Sequence, residues 1–179
     1  MRLVETALPG VRVLEGEPFT DERGSFSRTY CQKEFGDLAF DVKQISISEN
    51  TTRSTLRGFH FQLKPFEETK AIFPLRGSLY DVVVDLRPES PTYLRWEAFE
   101  LRSERYEGIY VPEGCANAWL TLEDQTLVTY YISEFFAPDH YAGIRHDDPF
   151  FGFKWPTEPK VISARDRSFP DFQPASEKA

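Results

Sequence analysis

Tyr80, Val82, Val84 and Leu86 alternate with Asp81, Val83 and Asp85, the period-two pattern of a strand with one face buried. Short extended runs of similar character recur at Val11–Glu15, Asp41–Ser48, Gly58–Gln62, Lys70–Leu75, Trp96–Arg102, Gly108–Val111 and Leu127–Ser133, with Gly, Pro, Asp and Ser signals between them. Many short strands separated by turns predict an antiparallel, all-β sandwich or barrel. Helices are scarce. Cys31–Leu38 has room for a short one, and Pro156, Pro159 and Pro170 break the stretch after Trp155 too often for a long one. Residues 174–179 are expected to fray.

The 179 residues fit one domain with a substantial core. A net charge of −8 argues against general binding to nucleic acid or to an anionic membrane, although a few local arginines can still hold a diphosphate. The opening Met1-Arg2-Leu3-Val4-Glu5 reaches Pro9-Gly10 without the apolar core of a signal peptide, and no apolar run is long enough to span a bilayer. The expected compartment is the cytoplasm. Cys31 and Cys115 are too few for a disulfide framework and are expected to be reduced thiols without a role.

The densest chemistry lies in Leu56-Arg57-Gly58-Phe59-His60-Phe61-Gln62 and the Lys70 that follows Pro65-Phe66-Glu67-Glu68-Thr69. A proton acceptor and a cation within one hairpin's reach suit enolate chemistry. On a strand, His60 and Gln62 project opposite to Phe59 and Phe61, so one face packs while the other is free for chemistry. Histidine titrates near neutrality and is the natural base for removing a proton beside a ketone. A buried histidine can equally be held by its neighbours alone. Lys70 taken by itself reads as a strand-end charge in water, Asp166 as a turn residue or helix cap, and Tyr130 or Tyr131 as core tyrosines. Arg57 and Arg23 have the bidentate geometry that suits a diphosphate, and surface charge is the bland alternative for each.

The segment around His60, together with Asp21-Glu22-Arg23-Gly24, Asp85-Leu86-Arg87, Ser90-Pro91-Thr92, Pro112-Glu113-Gly114, Asp147-Asp148-Pro149 and Trp155-Pro156, resembles the signature of the dTDP-4-keto-6-deoxyglucose 3,5-epimerase family of nucleotide-sugar isomerases. The resemblance spans about residues 1 to 170. It implies a cupin-type jelly roll with a few short helices, a sugar held inside, and a homodimer that exchanges strands. It also implies His60 as base with Asp166 behind it, and Lys70 beside the developing enolate. Counted back from Phe135-Phe136-Ala137-Pro138, Tyr130 falls on the family's proton donor and Tyr131 points the other way. A hydroxyl with its pKa lowered somewhat by the pocket is expected there. Arg57 falls near the diphosphate, Gln44 on the pocket wall, and Phe19 and Arg23 where family members reach into the neighbouring subunit. No cofactor or metal is implied.

Three positions depart from the family pattern. Cys115-Ala116-Asn117-Ala118-Trp119 carries Asn117 where many members have a histidine beside the sugar ketone; an amide can donate to an enolate oxygen but carries no charge or proton. His146 replaces a tryptophan, and Arg28 replaces a glutamate of the nucleotide pocket. They leave open which nucleotide and sugar are used, and whether C3, C5 or both are inverted. CDP- or GDP-linked 4-keto sugars or heptoses are the alternative substrates. A metal-dependent isomerase or dioxygenase, the common alternative for a jelly roll, is disfavoured because the three histidines lack clustered ligand spacing. A silent sugar-binding domain is the other alternative, and the retained set His60, Lys70, Tyr130 and Asp166 argues against it.

Overall fold

The computed structural model describes residues 1–174, so most of the tail expected to fray lies outside the described residues. Strands β1 (Arg2–Glu5), β2 (Arg12–Glu15), β3 (Phe19–Asp21), β4 (Gly24–Phe26), β5 (Gln44–Asn50), β6 (Thr55–Gln62) and β7 (Lys70–Arg76) make up the first half. The second half holds β8 (Ser78–Asp85), β9 (Trp96–Arg102), β10 (Glu107–Val111), β11 (Cys115–Thr121), β12 (Thr126–Ile132), β13 (Tyr141–Gly143) and β14 (Val161–Ile162). Two single-turn helices, α1 (Gln32–Phe35) and α2 (Ala164–Arg167), complete it.

One sheet has the order β1-β2-β10-β7-β12-β5 and the other β13-β6-β11-β8-β9, with β14 added to β6 and β3-β4 forming a separate hairpin. The two sheets face each other. Ile72, Ile109 and Val128 of the first pack with Leu79, Val83, Leu101 and Trp119 of the second in one buried cluster. Part of each outer face is covered too. Tyr30, Phe35 and Phe40 close over Leu14, Phe73 and Tyr110, while Ile144, Phe151, Phe153 and Trp155 close over Phe59, Val82, Val84 and Ala118.

This double covering corrects one expectation and accounts for a strand that the alternation pattern omits. Strand β8 is buried on both faces, so Asp81 and Asp85 do not form a solvated side; both are fully enclosed. Strand β11, which shows no alternation in sequence, is buried along its whole length. The strand expected from Asp41 begins only at Gln44, and the expected Cys31–Leu38 helix narrows to Gln32–Phe35 followed by a 3-10 turn.

The Asp85-Leu86-Arg87 and Ser90-Pro91-Thr92 motifs meet in one structural knot. Arg87 donates to both carboxylate oxygens of Asp85 at 2.8 Å, and the Ser90 and Thr92 hydroxyls donate to the same group at 2.5 and 2.7 Å. Burial works to raise the Asp85 carboxyl, but these donors outweigh it and hold the group down at about 2. Its ordinary value of 3.8 lies above that, so its stabilisation is complete above about pH 4 and is lost as the pH falls towards 2. Thermal melts across that window should show wild type losing on the order of 2 kcal/mol that an Asp85→Asn variant does not lose.

Candidate active site

At one end of the interior the apolar packing gives way to a cavity of about 340 Å³ lined by both sheets. Strand β5 contributes Gln44, Ser46 and Ser48 by strict alternation, which turns Ile45 and Ile47 outward. Strand β12 contributes Tyr130 and Ile132, and β7 contributes Lys70. The opposing sheet supplies Arg57 and His60 from β6 and Asn117 and Trp119 from β11, and Glu68, Phe136 and Tyr141 complete the lining.

Arg57 and His60 are three residues apart, and regular pleating would put them on opposite faces. A bulge at Gly58 changes the phase. Asn117 pairs with His60 and Trp119 with Arg57, so three steps on β6 match two on β11. Gly58 has φ +116°, and a Cβ there would lie 2.6 Å from the Ala118 backbone, so only glycine fits this close strand approach.

His60 Nε2 lies 2.8 Å from Asp166 Oδ1, across 106 residues of sequence. The α2 turn holds Asp166 in place, because the Asp166 N–H donates to the Ser163 Oγ cap at 3.0 Å, and the Gly58 N–H donates to the second carboxylate oxygen at 3.3 Å. Burial pushes the Asp166 carboxyl up, but the hydrogen bond and charge of His60, followed by the Gly58 N–H, bring it below its ordinary range. A carboxylate on Nε2 selects the tautomer whose Nδ1 lone pair is free to take a proton. The Tyr141 ring packs 5.4 Å from the imidazole, and Arg165 lies 3.9 Å above that ring.

Lys70 is buried, at 8% exposure, which corrects the surface position its local sequence suggests. Its ammonium donates to the His60 carbonyl and pairs with Glu68, both at 2.9 Å, leaving a third N–H. Tyr131 turns away, with its hydroxyl 2.6 Å from Thr29 Oγ1 and its ring stacked on Tyr30. The expected lowering of the Tyr130 pKa is reversed. Burial raises it, and the nearby charge of Arg57 only partly opposes the rise.

Arg57 Nε donates to Asn50 at 2.9 Å and Gln44 Nε2 to the Glu134 carbonyl at 2.6 Å, which fixes both on the cavity wall. Three expected site residues are not brought there. Phe19 and Arg23 sit on the exposed β3-β4 hairpin, where Arg23 pairs with Asp21; Arg28 pairs with Glu34 beside a separate surface depression. Sequence reasoning missed Glu68 and Asp81. Glu68 stands two residues before Lys70, and Asp81 is a lone acid in an otherwise apolar run; both signals were present. Among the described residues no three His, Cys, Asp or Glu side chains converge as a metal site.

With titratable groups on both walls and a buried cation lining the same cavity, the jelly roll has the parts of an acid–base isomerase. Comparison with known proteins narrows that class. The family model described as dTDP-4-dehydrorhamnose 3,5-epimerase matches residues 5–174. The dTDP-4-dehydrorhamnose 3,5-epimerase of Methanothermobacter thermautotrophicus is 37% identical over 173 residues, covering 94% of this chain and 92% of the relative. The crystal structure of the Bacillus anthracis enzyme of that name, with TDP and PPi bound, superposes with a TM-score of 0.91 at 33% identity, covering 96% of this chain and 99% of that one. ChmJ, a 3'-monoepimerase from Streptomyces bikiniensis solved with dTDP-quinovose, gives 0.84 at 30% identity, covering 92% and 85%. The chain belongs to the dTDP-4-dehydrorhamnose 3,5-epimerase family, and its fold is a cupin-type jelly roll.

Proposed function

We propose that this protein epimerises a nucleotide-linked 4-keto-6-deoxy sugar at the carbons flanking the ketone. The observation that carries this reading is the placement of His60 and Tyr130 on opposing sheets around one cavity, whose lining also includes Lys70 and Asn117. His60 Nδ1 takes the proton from the carbon, and the bonding pair moves to the ketone oxygen as an enolate. Asp166 stabilises the imidazolium. Lys70 and Asn117 donate to the enolate oxygen, where fixed donors in a dry site act most strongly. Tyr130 then gives its proton to the opposite face of the carbon. Its burial keeps the hydroxyl protonated until the far more basic carbon takes that proton, and Arg57 stabilises the resulting phenolate. Return of the proton from His60 to Tyr130 through solvent completes the cycle.

Relatives solved with TDP or dTDP-sugars support a dTDP-linked substrate, with Arg57 and Gln44 on the wall that meets it. Asn117 favours a second reading, inversion of one carbon only. It supplies a neutral donor where many members have a histidine, and one relative of the family is a monoepimerase. Conversion of dTDP-4-keto-6-deoxyglucose, resolved by NMR into C3 and C5 products, separates the two; absence of both products contradicts the assignment.

The proposal includes a homodimer in the cytoplasm. Among the described residues no helix is long and apolar enough to cross a membrane. Strand β5 ends its sheet and exposes Ile45 and Ile47 at 64% and 67%, an apolar edge suited to pairing with a second copy. The hairpin carrying Phe19, at 66% exposure, and Arg23 would then complete the partner's cavity. Ile47→Glu is expected to give monomers in sedimentation and to lose activity along with the dimer; an active monomer removes the hairpin from the site.

A further inference from the structure

Asp81 lies behind the cavity wall, hydrogen-bonded to the wall residue Asn117, yet takes no part in the reaction set out above. It lies on the interior face of β8 with no solvent exposure, between Leu79 and Val83, which are both core residues. Enclosing a carboxyl without a counter-ion is costly, and an apolar side chain would fill the same space without that cost. Among the described residues Asp81 makes no ion pair within 4 Å, and its hydrogen-bond donor is the Asn117 amide, whose Nδ2 is 3.1 Å from one carboxyl oxygen and 3.5 Å from the other. Burial pushes the Asp81 carboxyl up to about 8, with the Asn117 hydrogen bond and the charge of Lys70 working against the rise. In either protonation state the group still offers an acceptor oxygen to that amide.

Asn117 is also the direct cross-strand partner of His60. Side chains at such paired positions rise side by side from one face, so a carbon within reach of His60 brings its neighbouring ketone oxygen towards Asn117. An unanchored amide can turn either end to that oxygen. Its carbonyl would repel a developing enolate, and its N–H would stabilise it. Resting on the epimerase reading above, we propose that Asp81 is a positioning residue that captures one Asn117 N–H, so that the other N–H, and not the carbonyl, meets the ketone oxygen. Asp81 and Asn117 thus work as one unit in place of a charged side chain.

The test is a variant series in the full-length protein, read by solvent-deuterium uptake into dTDP-4-keto-6-deoxyglucose. Asp81→Leu is expected to lower kcat about 30-fold, as loss of an outer-layer orienting group does elsewhere. KM should stay within about threefold, since the lost interaction forms mainly in the transition state. The melting temperature should hold or rise, because a buried carboxyl without a counter-ion is gone. Asp81→Asn, which keeps an acceptor oxygen in place, should recover most of the lost rate. Adding Asn117→Ala to Asp81→Leu should cost little more, because the two residues act together. A wild-type kcat in Asp81→Leu, losses that multiply in the double variant, or no recovery in a folded Asp81→Asn would overturn the proposal. A second readout needs no turnover: the Asn117 side-chain amide resonance in a nitrogen-15 NMR spectrum should shift in both Asp81 variants. An unmoved resonance overturns the positioning role. A shifted resonance in a protein whose wild type shows no uptake supports the anchored amide and counts against the epimerase reading instead.

Discussion

His60→Asn is expected to lower both solvent exchange and inversion by about a thousandfold while leaving affinity for a dTDP-sugar within about threefold, because loss of a positioned base removes a term that acts mainly in the transition state. The structure gives two reasons for so large an effect. Nδ1 of His60 is the basic nitrogen that Asp166 leaves free, and Asp166 is set by both the Ser163 cap and the Gly58 N–H, so it holds the ring in one tautomer and one orientation. Asparagine cannot accept a proton at neutral pH, and no other histidine lines the cavity. Steady-state exchange and isothermal titration of the same variant check the two halves of the prediction. Exchange at the wild-type rate would discard His60 as the base.

Tyr130→Phe should divide the reaction at its midpoint. The base remains, so the proton beside the ketone still exchanges with solvent, and reprotonation by His60 returns the original configuration. Inversion should fall about a hundredfold or more, since the opposing wall then lacks its acid. Phenylalanine keeps the ring, which packs 6.4 Å from Trp119, so the fold should not change. Comparing deuterium content with product configuration in one sample reads both outcomes. Normal inversion would place the acid elsewhere, and loss of exchange together with inversion would give Tyr130 a binding role instead.

How far the sequence reveals this molecule depends on what each residue faces. Strands with a polar side, such as Trp96–Arg102, match their expected limits, because alternation survives where one face is less buried. Strand β11 shows no alternation because core packs against it on both sides, and Ala116 and Ala118 are small where the aromatic layer presses in. Of its two cavity-facing members, Asn117 was legible only as a departure from the family pattern, and Trp119 carried no local signal.

The site divides in the same way. His60 could be assigned to the free face of its strand from local spacing. Arg57 reaches the same cavity through the Gly58 bulge, which simple alternation does not reveal. The pairing of His60 with Asp166 came from resemblance alone, since nothing local links residues 106 positions apart. Lys70 reads as a surface charge from its neighbours because its partners, Glu68 and the His60 carbonyl, meet it only once the strands have formed. The expected lowering of the Tyr130 pKa failed because burial outweighs the single cation beside it. Asp81 reads as part of a polar side from alternation alone, although the unbroken Val82-Val83-Val84 run beside it is the mark of a strand covered on both faces.

The most direct test of the central claim is mass spectrometry of dTDP-4-keto-6-deoxyglucose incubated with the protein in heavy water. Deuterium at the carbons flanking the ketone, at a rate that falls about a thousandfold in His60→Asn, is the predicted result. Two deuterons assign both C3 and C5 to this enzyme, and one assigns a single carbon. No uptake with this sugar, nor with its CDP- and GDP-linked counterparts, would contradict the account and leave a sugar-binding jelly roll that keeps the cavity without the reaction.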